Sequence, residues 1–196
     1  MTDLTQLLSE VSQCQRCSTQ LPLGPRPVVK AAAKARLLII GQAPGTRVHA
    51  TGIPFNDPSG DRLRQWLQMT DEQFYNPNRV AIMPMGFCYP GKGKSGDLPP
   101  RPECAPTWHQ HIMARLPHIE LVLLIGRYAQ DYYLADKRTL TERVKHFADY
   151  GPRYFPLPHP SPRNLLWLKR NPWFDTTVLP ALQSRLQQLQ LWPSLE

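Results

Sequence analysis

The stretch Arg36-Leu37-Leu38-Ile39-Ile40-Gly41-Gln42-Ala43-Pro44-Gly45 decides the fold class. From Leu37 to Ile40 every position is apolar, so no face is left to turn toward water, and the run stops at a Gly/Pro turn. A strand covered on both sides and closed in this way fits the middle of a parallel sheet. Val80–Met85 and Leu121–Ile125 read alike, and the second ends at Gly126 and leads into a helical stretch, Arg127–Leu134. Tyr154–Leu157 is a fourth candidate strand. Helical patterns occupy Leu4–Gln13, Ser59–Leu67, Thr107–Leu116 and Trp173–Leu191, with Pro180 placed to kink or restart the last. Strands alternating with helices imply crossover connections. The expectation is α/β: a three-layer α/β/α sandwich with a central, mainly parallel four-stranded sheet, in one domain spanning 1–196.

The composition allows this. Of 196 residues 41% are hydrophobic and 19% charged, enough for a core and too mixed for disorder. No run approaches the roughly 18 apolar residues of a membrane span, and Met1-Thr2-Asp3 does not open a secretory leader, so a cytoplasmic protein without a membrane partner is expected. The 22 prolines are about twice the usual ~5% and imply long, stiffened loops. Lys plus Arg number 23 against 15 Asp plus Glu, a net charge of +8. That balance favours a polyanionic partner, nucleic acid first, with a generically basic protein as the plainer alternative. Arg26, Lys30, Lys92, Lys94, Arg163, Lys169 and Arg170 fall in expected loops, which suits phosphate contacts better than a salt-bridged helix face.

In a parallel sheet the ligand lies beyond the carboxyl ends of the strands. Three loops there carry unusual chemistry: Gly41–Gly45 continuing to Thr51-Gly52-Ile53-Pro54-Phe55, then Gly86-Phe87-Cys88-Tyr89-Pro90-Gly91, then His159-Pro160-Ser161-Pro162-Arg163-Asn164. Glycine lets backbone N–H groups approach a ligand and proline fixes the loop beforehand. The Gly-Gln-Ala-Pro-Gly loop, Phe55 within Gly52-Ile53-Pro54-Phe55, and His159-Pro160-Ser161 together resemble the uracil-DNA glycosylase superfamily, in the same order along the chain. The upstream Cys14-Gln15-Arg16-Cys17 and the segment Gly126-Arg127-Tyr128-Ala129 are most similar to its family-four, iron–sulfur branch.

The resemblance implies a DNA-base glycosylase of base-excision repair that flips uracil or another deaminated base and excises it hydrolytically. Gly41, Gln42, Ala43, Pro44 and Gly45 would line the base, with Met85 at the end of the second strand, and Phe55 would stack on it. His159 would donate a hydrogen bond to the leaving base. Lys92, Lys94, Ser161, Arg163, Asn164 and Leu165 would contact DNA, Leu165 filling the gap in the stack. Core packing at Phe55 is the competing reading.

Two positions depart from the pattern. Gln42 stands where family-four members carry a carboxylate, and an amide holds water but is no base at neutral pH. Asp57 and Asp61 are the nearby acids that would replace it, although both also fit helix N-capping. The Asn that reads uracil has no counterpart, since Pro84 and Met85 occupy its region. A non-catalytic binder of single-stranded or damaged DNA on the same scaffold is therefore the alternative function. A nucleoside enzyme is a third reading, opposed by the charge.

Cys14 and Cys17 form a Cys-x-x-Cys, and Cys88 and Cys104 are the only other cysteines. Intracellular thiols so paired suit a metal better than a disulfide. The resemblance implies a 4Fe–4S cluster on all four, with zinc as the alternative metal and four unrelated thiols as the bland one. Pro102-Glu103 directly precedes Cys104, closer than in the family, whose motif would align Trp108 with the cysteine. The expected assembly is a monomer, associated with the nucleoid when DNA is bound.

Overall fold

The computed structural model describes residues 3–191; the leading Met1-Thr2 and the ends of the expected 1–196 domain lie outside the described residues. In chain order the elements are α1 (Leu4–Ser12), β1 (Leu37–Ile40), α2 (Thr46–Thr51), α3 (Pro58–Leu67), α4 (Asp71–Phe74), β2 (Val80–Ile82), β3 (Lys92–Gly93), β4 (Gly96–Asp97) and α5 (Cys104–Met113). There follow β5 (Leu121–Ile125), α6 (Arg127–Tyr133), α7 (Leu140–Lys145), β6 (Tyr154–Leu157), α8 (Leu165–Arg170) and α9 (Leu179–Gln188).

The main sheet has the order β2-β1-β5-β6 and every pair in it is parallel. The continuous apolar run of β1 has the burial its sequence demands: Leu37, Leu38, Ile39 and Ile40 are all fully buried. Alternation sends Leu37 and Ile39 into one core with Leu63, Trp66, Phe74 and Leu182 from α3, α4 and α9. Leu38 and Ile40 enter a second core with Leu7, Ile112 and Ala129 from α1, α5 and α6. Helices thus cover both faces, and the α/β sandwich stands.

Some boundaries differ from those the sequence suggests. β2 ends at Ile82, not Met85, because Pro84 has no N–H to continue the ladder, although Met83 and Met85 still donate to Ile39 O and Gly41 O. α5 begins at Cys104, three residues before Thr107. The last helical stretch opens with a π-helical segment, Phe174–Val178, before α9 starts with Pro180 in its first turn. Proline there cannot donate back into the preceding turn, which separates the two segments.

Both edges of the sheet are treated specially. An extended segment before β1 lies antiparallel along β2: Lys30 N donates to Ile82 O (2.9 Å), Ile82 N returns a bond to Lys30 O (2.7 Å), and Val28 N donates to Phe87 O. At the far edge, β6 carries Pro156 opposite Leu124.

Candidate active site

From β1 the chain steps outward to β2, and from β5 it steps the other way to β6, so the winding reverses between β1 and β5. A crevice at the carboxyl ends of the strands is the geometric result. It is a cavity of about 440 Å³, within the usual range for a small-molecule site. Gly41, Gln42, Ala43, Pro44 and Gly45 form one wall, and Phe55, Asp57, His159, Ser161, Arg163 and Asn164 converge on it from two other loops.

His159 is the best-defined polar group. Ser161 N donates to its Nδ1 (3.2 Å), so in the neutral ring the proton sits on Nε2. Burial holds the imidazole below its ordinary pKa, and the Asp57 carboxylate partly offsets this by favouring the charged form. The neutral ring therefore presents Nε2–H as a donor. Its loop is tied down on both sides: Asn164 Nδ2 donates to His159 O (2.8 Å), and Arg62 Nη1 donates to Ser161 O (3.1 Å). Gly126 beyond β5 packs against this ring, and its φ of +82° is a conformation that favours glycine at that turn.

Asp57 does two jobs. Oδ1 caps α3 by accepting from Gly60 N (2.9 Å), as expected of Asp-Pro-Ser-Gly, and the residue also lines the cavity. Asp61 is spent on Arg64 (2.6 Å) and does not line it. Gln42 is in the lining, and its backbone O accepts from Gly86 N (3.0 Å), which fixes the first loop to the second.

Met85 is a correction. It is buried in the core between the sheet and α5, and Pro84 is the neighbour that reaches the cavity. Lys92 and Lys94 are exposed on the β3–β4 hairpin, beside the mouth and outside the lining. Leu165, half-exposed, opens α8 just beyond the histidine loop. The hairpin also supplies residues that sequence reasoning missed: Ser95, Gly96 and Asp97 line the cavity, and Arg163 Nη1 donates to Ser95 O (3.2 Å) across it. Asp97 lies 3.6 Å from where a Gly45 Cβ would stand, a contact that no sequence signal marks.

A second, much smaller cavity of about 30 Å³ is lined by Cys14, Cys17, Cys88 and Cys104 together, with Trp108 and Arg101 beside them. All four are free and partly buried. Phe87 N donates to Cys104 Sγ (3.3 Å), and burial pushes the Cys88 thiol up to about 11 and the Cys104 thiol to about 12. Such thiols stay protonated unless a cation offsets the cost of the buried charge. Among the described residues no group of three or more His, Cys, Asp or Glu side chains is arranged so that it could hold a metal ion.

Among the described residues no helix is long and apolar enough to cross a membrane. A family model described as the uracil DNA glycosylase superfamily matches residues 29–183. The match takes in all four strands of the main sheet and the three loops that build the large cavity, together with Cys88 and Cys104, and it begins after Cys14 and Cys17. The chain belongs to the uracil DNA glycosylase superfamily.

Proposed function

We propose that the protein is a DNA-base glycosylase that flips uracil or another deaminated base out of the stack and hydrolyses its N-glycosidic bond. The observation that carries this reading is His159. Its Nδ1 is occupied by Ser161 N–H, which leaves Nε2–H as a fixed donor in a cavity shared with an aromatic ring and a carboxylate. Cleavage separates charge: the sugar becomes oxocarbenium-like and the base leaves as an anion. Nε2–H would stabilise oxygen on that departing base, while Phe55 stacks on its face. Water adds its hydroxyl to the sugar carbon and its proton ends on the base. Asp57, with only Oδ1 engaged at the helix cap, would orient that water and favour the cationic sugar, and the Gln42 amide would help to hold it.

DNA is the partner that fits the charge, with Lys92, Lys94 and Arg163 on phosphates and a monomer as the working unit. The four-cysteine cavity supports placement near the family-four branch. Thiolates of Cys14, Cys17, Cys88 and Cys104 would hold a 4Fe–4S cluster, or zinc in its place. Bound there, it would pin the segment after α1 to the start of α5. Gln42 in place of a carboxylate favours the second reading, a binder of single-stranded or damaged DNA.

Purified protein incubated with uracil- and hypoxanthine-containing oligonucleotides, then treated with alkali, separates the two. Strand cleavage at the modified base is the expected result. Tight, salt-sensitive binding with no cleavage on either substrate would replace the enzyme by the binder.

A further inference from the structure

Phe55 has φ +55°, a left-handed backbone that a bulky residue adopts rarely and at a cost. The other non-glycine residues with positive φ among those described, Gln68 and Gln190, follow the ends of α3 and α9, where this conformation is routine. Phe55 ends no helix. Asn56 N donates to Ile53 O (3.3 Å), closing a turn with Pro54 and Phe55 at its centre, and Phe55 holds the place where glycine is normal. A strained aromatic at that position persists only if its surroundings over-determine it.

They do. Arg64 Nη1 donates to Phe55 O (3.3 Å), and the same carbonyl lies flush on Gly60, where a Cβ would stand 1.6 Å from the oxygen. The guanidinium is itself locked: Nη2 reaches Asp61 (2.6 Å), Nε reaches Asp71 (2.7 Å), and Nη1 also donates to Tyr75 OH (3.1 Å). It lies over the rings of Phe74 and Tyr75, at 5.4 and 5.5 Å. Phe74 in turn meets the Phe55 ring edge-on at 6.1 Å. On the far side the ring tip fills the space above Gly41, where a Cβ would be 3.0 Å from Phe55 Cζ. Arg64 is buried and does not line the cavity, so whatever it does there it does through Phe55.

We propose that Arg64, seated between Asp61 and Asp71, is a positioning residue that holds Phe55 in its strained turn and so sets the ring against Gly41 as the stacking face of the base pocket. The role of that face rests on the glycosylase reading above; the hold on Phe55 does not. A purely structural arginine, joining α3 to α4, would affect folding and leave the ring where it is.

The test uses the full chain with 3-fluorophenylalanine at position 55, read by fluorine NMR, alongside single-turnover excision of uracil from an oligonucleotide. Arg64→Met should move or broaden the fluorine resonance and slow excision about tenfold or more, with DNA affinity nearly unchanged. Arg64→Lys keeps a cation between Asp61 and Asp71 but lacks the fork that reaches both carboxylates and Phe55 O at once, so it should show both effects in smaller measure even if Arg64→Met folds poorly. In a Phe55→Ala background, Arg64→Met should slow excision no further. The proposal is overturned if the resonance in Arg64→Met and Arg64→Lys coincides with wild type, or if Arg64→Met slows the Phe55→Ala enzyme as much as it slows wild type. Wild type that excises nothing would end the glycosylase reading, while the fluorine spectra still decide whether Arg64 holds the ring.

Discussion

His159, on the loop after β6, and Leu165, six positions on at the start of α8, should respond to alanine in opposite ways. On the proposed glycosylase reading the Nε2–H donor of His159 would matter most as charge develops on the base, so His159→Ala should slow single-turnover excision by about 10²–10³ while DNA affinity changes little. Leu165, half-exposed beyond the loop, would occupy the space of the flipped base, so Leu165→Ala should chiefly weaken productive binding and spare the rate at saturation. Wild-type excision by His159→Ala would make the histidine structural. At this scale the sequence showed the Gly41–Gly45 wall, Phe55 and His159, because Gly and Pro around them mark where backbone must bend or approach a ligand. It misplaced Met85, since a side chain's direction past a proline cannot be read from alternation. Arg64 and Asp97 were invisible: charged residues in a helix and a short hairpin resemble any solvated pair until the fold puts Phe55 and Gly45 beside them.

α5 connects the cavity to the cysteines. His109 on this helix is almost fully buried, stacked on Phe87, with Nε2 donating to Pro84 O (2.9 Å) and Nδ1 accepting from Tyr133 OH (2.6 Å). Pro84 lines the large cavity, while Phe87 N is bonded to Cys104 at the start of the same helix. Burial lowers the His109 pKa to about 4. The folded value lies below the ordinary ~6.5, so as pH falls through that window the unfolded chain takes up a proton that the folded one refuses. Stability is therefore lost on acidification, by roughly 2 kcal/mol between pH 7 and pH 4.5 from this group alone. Denaturant titrations at the two pH values should show His109→Gln, which does not titrate, losing less than wild type by about that amount; identical losses would refute the assignment. β1 and β5 were legible as continuous apolar runs, and α3 by its apolar period. The β3–β4 hairpin was not, since two-residue strands in Lys92-Gly93-Lys94-Ser95-Gly96-Asp97 have no period at all. α7 carried a readable sign, the capping box of Thr139 and Glu142, that the apolar pattern alone passes over.

Across the whole molecule, tertiary structure brings Cys14 and Cys17 from one end of the chain to Cys88 and Cys104 in its middle. Protein prepared without oxygen should contain stoichiometric iron and absorb broadly in the visible, and removal of the metal should lower the melting temperature. Zinc alone would keep the site and change the metal; neither metal at stoichiometric level would leave four unrelated thiols. The strand order, and with it the reversal between β1 and β5 that creates the cavity, was not written in any single segment, because it depends on which crossover goes left and which right. The two sheet edges carry a consequence for the protein in crowded solution. An open edge is a template on which a neighbouring copy can add its own strand. Here one border is already occupied by the Lys30 segment, and the other carries a residue, Pro156, that cannot donate. A sheet this apolar is thereby protected against edge-to-edge polymerisation, and a chain shortened past Lys30 would lose that protection on the Val80–Ile82 side and aggregate through it.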